Sequence, residues 1–202
     1  MIPTINIAAL FDAESRPSPA LTATDLAVFE AATTLGFMTI TGLPHEPDIG
    51  ASAKQTLTTL FNLAADEQRR LWKRNFESNN PNLYRGWFPL HSGPTLSREG
   101  FEIGPDVVRG LPNPTKDVLL EPTPWPSDTA LPHFRTVAAR YYAAMEAIGA
   151  ALLASLSRGL GIAPTLFRDA FTEGISTLRL LRYIPRHDLP ISSALKATRG
   201  AH

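Results

Sequence analysis

The chain has 202 residues, with 19 basic and 19 acidic side chains and no net charge, so no global field favours a nucleic acid, an anionic lipid surface or a polyanionic partner. Hydrophobic residues make up 44%. That excludes an intrinsically disordered chain, and a polypeptide of this length buries enough surface to fold without a disulfide or a metal. Cysteine is absent, which removes disulfide frameworks, thiolate zinc sites and thiol catalysis together.

The opening MIPTINIAALFDAES has no basic residue ahead of its short apolar stretch, so no secretory signal is read. Ile2 to Ala8 puts Ile5 and Ile7 on one face and Thr4 and Asn6 on the other, the period of a half-buried strand. Thr22 or Thr24 is positioned to cap a helix with Leu26, Phe29 and Ala32 among its apolar positions, ended by Gly36. Phe37 to Thr41 is β-branched and aromatic and reads as a strand closed by Gly42 and Pro44. A second helix is expected from about Asp48, with Ile49, Ala53, Leu57, Leu60 and Phe61 on its buried stripe. Helical turns over Ala64 to Arg74 would carry Arg69, Arg70, Lys73 and Arg74, with Asp66 and Glu67 as local partners. That pattern reads as a solvated helix face in preference to a nucleic-acid patch.

Ten of the 18 prolines lie between Pro81 and Pro132, so the middle third cannot be regular helix. Irregular loops with short strands are expected there, with Phe101 to Gly104 as the clearest strand and Trp87, Phe88, Phe101 and Trp125 as tethers. From Phe134 to Gly159 the spacing of Val137, Tyr141, Met145, Ile148, Leu152 and Leu156 predicts one long core helix, stopped by Gly159, Gly161 and Pro164. The most apolar window within it, Ala143 to Leu156, contains Glu146 and is shorter than the ~20 residues of a membrane span. A soluble, cytoplasmic protein is expected. Ser176 to Pro185 reads as a strand with Arg179, Leu181 and Tyr183 on one face and Leu178, Leu180 and Arg182 on the other. Either face pairs leucine with arginine. That fits an edge strand with snorkelling arginines or a face that binds carboxylates, and the pattern leaves both open.

The five histidines form no H-x-D, H-x-E or HExxH pattern within the chain. Gly159-Leu-Gly161 follows a helix and lacks a third glycine, so it is no dinucleotide fingerprint. Neither a nucleophile elbow nor a phosphate-binding P-loop is present.

Several stretches, in order, resemble the isopenicillin N synthase-like family of non-haem iron(II), 2-oxoglutarate-dependent dioxygenases. Pro3 to Phe11 (PTINIAALF) is similar to the family's opening strand. Leu35 to Pro44 (LGFMTITGLP) is similar to its G-F-F-x-I-x-G-H-G strand. Arg98 to Asp106 (REGFEIGPD) and Trp125-Pro126 match its K-E-x-F-x-I-G and W-P landmarks. Leu178 to Pro185 (LRLLRYIP) resembles the strand leading to the metal site, and Gly200 to His202 the start of a G-x-H-x-D iron motif.

The resemblance implies an α+β fold, in which an N-terminal α/β region and long helix lead into an incomplete double-stranded β-helix, or jelly roll. Residues 1–132 would form the dioxygenase N-terminal region, and 133–202 the long helix and first strands of the core. It implies Fe(II) and 2-oxoglutarate as cofactors of the complete family member, the iron held by two histidines and a carboxylate. His202 would be the first iron ligand. Tyr183 would contact a carboxylate, that of 2-oxoglutarate in most members and of the peptide substrate in isopenicillin N synthase. Leu181 stands where many members have asparagine. Arg85, ahead of Gly86-Trp87, lies near where some relatives place a substrate-binding group. The chain stops at His202, ahead of the family's aspartate, second histidine and arginine-serine pair. The expectation is therefore an N-terminal portion that is catalytically incomplete as given, binds no cofactor stably, and would act on a small molecule when completed. The alternative is a non-catalytic remnant serving as a binding or dimerisation module. In either case an unpaired strand at 178–183 invites self-association.

Overall fold

The computed structural model describes residues 1–12, 17–44, 46–90, 98–110, 117–171 and 174–183. The chain forms two compact units, each drawn from two stretches: Met1–Ala53 with Arg140–Gly174, and Lys54–Ala139 with Ile175–His202. Helices and short strands are mixed, as the α+β expectation requires.

In the first unit β1 (Thr4–Asn6) pairs in parallel with β2 (Thr39–Thr41), Ile5 opposite Ile40. Parallel neighbours need a crossover, and α1 (Pro19–Thr34) supplies it. The helix begins ahead of the expected threonine caps. Ser18 Oγ accepts the Leu21 amide at 3.1 Å and Pro19 occupies the first turn, where its fixed φ suits a helix and its missing N–H costs nothing. The buried stripe is Thr24, Val28 and Ala31. Leu26, expected on it, is 64% exposed because it sits two residues from Thr24 and from Val28, about 200° around the helix. Gly36, at φ 71°, ends the helix as expected, with its amide bonded to Ala31 O at 3.0 Å.

The expected second helix is interrupted. α2 (Glu46–Ile49) stops at Gly50, α3 (Ala51–Thr58) follows, and a 3-10 turn covers Thr59–Asn62. Its stripe is nevertheless right: Ile49, Ala53, Leu57, Leu60 and Phe61 are all buried.

The second unit is built on an antiparallel sheet of order β3 (Gly86–Phe88), β4 (Arg98–Ile103), β5 (Leu178–Tyr183). Its core includes Leu57, Leu60, Phe61, Leu71, Trp87, Phe101, Ile103, Phe134 and Ala138. Trp87 packs edge-on against Phe61 and Phe101, with centroids at 5.4 and 6.5 Å. Trp87 and Phe101 are thus the buried tethers expected of them, and Phe88 and Trp125 are half-buried. α4 (Ala65–Arg70) is shorter than expected. The Trp87 amide donates to Leu71 O at 2.7 Å and the Lys73 amide to Trp87 O at 2.9 Å, so β3 captures the backbone where the helix would have continued. Lys73 therefore lies beyond the helix and not on its solvated face. A single turn, α5 (Asp106–Arg109), follows β4 and ends at Gly110.

α6 (Phe134–Gly159) is the long helix expected from periodicity, followed by α7 (Thr165–Phe171). By length and composition alone α6 could cross a membrane. However, Ala144 and Ile148 pack into the core of the first unit with Ile5, Ile7, Val28, Ala31 and Ile49, and Tyr141, Leu152 and Leu156 lie against it.

A polar clamp fixes α1 to α6 within that unit. Arg158 Nε and Nη2 donate to the two carboxylate oxygens of Asp25 at 2.6 and 2.8 Å, and Ser155 Oγ donates to Asp25 at 2.7 Å. Burial raises the Asp25 pKa, but the hydrogen bonds from Arg158 and Ser155 and the arginine's charge outweigh it and hold the carboxyl below its ordinary value.

Candidate functional site

Alternation along the strands sorts the side chains of the three-stranded sheet into two faces, because directly paired residues share a face. One face carries Trp87, Glu99, Phe101, Ile103, Leu178, Leu180 and Arg182, and the other Phe88, Arg98, Gly100, Glu102, Arg179, Leu181 and Tyr183. The register sets Glu99 opposite Arg182 and Glu102 opposite Arg179. The two arginines, ambiguous in the sequence, are therefore both ion-paired inside the protein.

The first pair is self-contained. Arg182 Nε donates to Glu99 Oε1 at 2.6 Å and its Nη1 to Phe61 O at 3.0 Å, and Trp87 Nε1 donates to Glu99 Oε2 at 3.2 Å. On the opposite face the described cations outnumber the described carboxylates. The carboxylate of Glu102, almost fully buried, is ion-paired to Lys73 through one oxygen and to Arg179 through the other. Lys73 Nζ also lies 5.3 Å from the ring centroids of both Tyr84 and Phe88. Neither Lys73 nor Glu102 is a residue that sequence reading singled out as functional. A signal for the pairing was present: Glu99 and Glu102 are spaced three apart, as are Arg179 and Arg182, so one antiparallel register satisfies both pairs.

Gly100 lets this face close. A Cβ there would collide with the Phe88 ring and stand 2.8 Å from both Leu180 O and Leu181 Cδ2. Tyr183 ends the same face, opposite Arg98 and 61% exposed. Its hydroxyl has no protein partner among the described residues.

Arg85 is fully buried. Its Nη1 donates to Thr177 Oγ1 at 2.5 Å and its Nη2 to Leu119 O at 2.8 Å, and the guanidinium lies 4.9 Å from the Tyr84 ring centroid. Glu121 organises the backbone just ahead of β3, accepting the amides of Leu83 at 3.0 Å, Arg85 at 2.5 Å and Tyr84. Close by, Asp106 accepts the hydroxyl and amide of Thr123 at 2.6 and 3.1 Å, and Thr123 Oγ1 accepts the Gly104 amide at 2.9 Å. Arg85 is thus held by protein groups and braces Thr177, the residue that leads into β5. His202 lies outside the described residues. Among the described residues no group of three His, Cys, Asp or Glu side chains could hold a metal ion.

No family model matches the chain. It is 28% identical over 195 residues to the 2-oxoglutarate-dependent dioxygenase traH of Penicillium crustosum, covering 92% of this chain and 56% of that protein. It is 30% identical over 160 residues to a 2-oxoglutarate-Fe(II) type oxidoreductase of Aspergillus fumigatus, covering 75% of this chain and 46% of that protein. Among solved structures, a full-length Neurospora crassa protein in complex with alpha-KG and thymine aligns at a TM-score of 0.71 and 20% identity, over 90% of this chain and 55% of that one. The dioxygenase for auxin oxidation of rice aligns at 0.58 and 19%, over 91% and 52%. These structures share the fold of the described region. The resemblance read from the sequence is borne out: the curated relatives that the chain matches are 2-oxoglutarate-dependent dioxygenases, and its structural neighbours include 2OG-Fe(II) oxygenases. The chain spans about half the length of the curated relatives it matches.

Proposed function

We propose that the chain is the N-terminal portion of an Fe(II)/2-oxoglutarate-dependent dioxygenase that oxidises a small molecule, with 1–132 as the N-terminal region and 133–202 as the helix and first strands of a jelly-roll core. The observation that carries this reading is the similarity to dioxygenases along 92% of the chain, matched to only 56% of the relative. Bound iron and 2-oxoglutarate would supply oxygen activation. Of this chain's residues, Tyr183 would offer its hydroxyl, which has no partner among the described residues, to a cosubstrate carboxylate, and His202 would be one metal ligand. Arg85, buried as it is, would serve substrate binding by holding the start of β5 through Thr177.

A single proposed histidine does not make a facial triad, so the 202-residue chain is expected to be catalytically incomplete and to bind no cofactor stably. Isothermal titration with Mn(II), a redox-stable stand-in for Fe(II), is expected to give at most weak binding that His202→Ala abolishes. Equal affinity in the two proteins would remove His202 from the site. Stoichiometric conversion of 2-oxoglutarate to succinate by the 202-residue chain with Fe(II) would overturn the incompleteness. The lateral edge of β5 away from β4, to which no strand is paired among the described residues, supports the second reading, a remnant that binds or dimerises through that edge.

A further inference from the structure

Among the described residues, the face of the sheet that ends in Tyr183 carries more cations than carboxylates. Arg98, Arg179 and Lys73 share it with one carboxylate, Glu102, whose two oxygens are already taken by Lys73 and Arg179. Lys73 and Glu102 are largely buried, and their side chains are 13% and 3% exposed. Arg179 is the open member of the cluster, with a side chain 46% exposed. Only its Nη2 is engaged among the described residues, where Nε and Nη1 have no partner. A guanidinium so placed, beside a second cation that already satisfies its counter-ion, is suited to a planar carboxylate.

Leu181, Gly100 and the Phe88 ring lie between Arg179 and Tyr183 and give the face an apolar floor. The two ends are four residues apart on one strand, about 13 Å at the ordinary rise. That separation accommodates two anionic groups from two different small molecules, one at each end.

We propose that Arg179, backed by Lys73, determines specificity for a small-molecule substrate bearing a carboxylate on an apolar body that lies over Leu181 and Phe88. The assignment of Tyr183 to the cosubstrate rests on the function proposed above, whereas the anion site at Arg179 stands on the charge arrangement itself.

The test uses the 202-residue chain, with phenylacetate and its neutral counterpart phenylacetamide as probes, and with 2-oxoglutarate as a separate ligand at millimolar concentration, where the weak binding expected of an incomplete site still shifts amide signals. Binding is followed by amide chemical shifts. Phenylacetate is expected to perturb β5 amides around Arg179 and to bind at least tenfold tighter than phenylacetamide. Arg179→Gln should erase that preference and leave 2-oxoglutarate binding unchanged, while Tyr183→Phe should do the reverse. Arg179→Lys, which keeps the ion pair with Glu102, should retain the preference with weaker affinity. This provides a second folded variant if the glutamine variant fails to fold. Equal binding of the two probes by the unmodified chain, or phenylacetate shifts centred away from β5, would overturn the proposal. If 2-oxoglutarate binding is indifferent to Tyr183→Phe while phenylacetate still depends on Arg179, the anion site is upheld and the cosubstrate assignment fails.

Discussion

Two glycines illustrate opposite constraints at the scale of single residues. Adding a methyl group at Gly100 would press it against Leu180 O, a backbone atom that cannot swing aside, as well as against the Phe88 ring. Gly100→Ala is expected to cost about 1–3 kcal/mol in urea denaturation. Gly149, inside α6, has nothing within 4 Å of a built Cβ. Gly149→Ala should therefore stabilise by about 0.5–1 kcal/mol by removing glycine's excess backbone freedom. Asp25 makes a pH prediction. Its folded-state pKa lies below the unfolded value, so its contribution is present in full above the unfolded pKa and is lost as pH falls through the folded one. Glu67 acts in the same direction, held low chiefly by the Ser127 amide, which donates to it at 2.7 Å. Asp25→Asn is expected to be less stable than the unmodified chain at neutral pH, with the gap starting to close as pH falls below about 4 and closing only once the pH has passed the lower folded-state pKa, read from denaturation midpoints.

Among the elements, α6 shows how a correct period still misplaces a side chain. Each step of four residues along the helix advances about 40° beyond a full turn, so Met145 lies about 80° from Val137, and the step of three to Ile148 brings the stripe back. Met145 is accordingly 43% exposed and Ile148 is buried in the core. Ile148→Ala should lose about 2–5 kcal/mol, while Met145→Ala, on the same nominal stripe, should fall within about 0.5 kcal/mol of the unmodified chain. The β4–β5 pairing offers a further contrast. Glu99→Leu would leave the buried Trp87 indole N–H unsatisfied and remove the counter-ion of the part-exposed Arg182, which keeps its bond to Phe61 O, and should cost about 1–3 kcal/mol for the one buried donor stranded.

At the scale of the whole molecule, zero net charge gives no long-range repulsion between copies. β5 meanwhile has one side unpaired among the described residues, and an unpaired strand edge is a template for another chain. Self-association at micromolar concentration is the expected outcome, with light scattering as the check. A sharp monomer peak would contradict it.

The long helix from Phe134 to Gly159, the buried stripe from Ile49 to Phe61, the stop at Gly36 and the resemblance to dioxygenases were legible in the sequence, because each is written in local spacing or in a run of motif residues. The parallel pairing of β1 with β2, the capture of Leu71 and Lys73 by Trp87, and the burial of Arg85 were not, because they depend on partners distant along the chain. The two arginines of β5 make the distinction concrete. Alternation alone placed one on each face and left open whether they were surface groups or carboxylate binders. Only the tertiary register, which sets Glu99 and Glu102 across from them, decided that one is neutralised inside the protein and that the other shares its counter-ion with Lys73. Composition and periodicity determine which groups a strand presents; long-range pairing decides which of their charges are already satisfied.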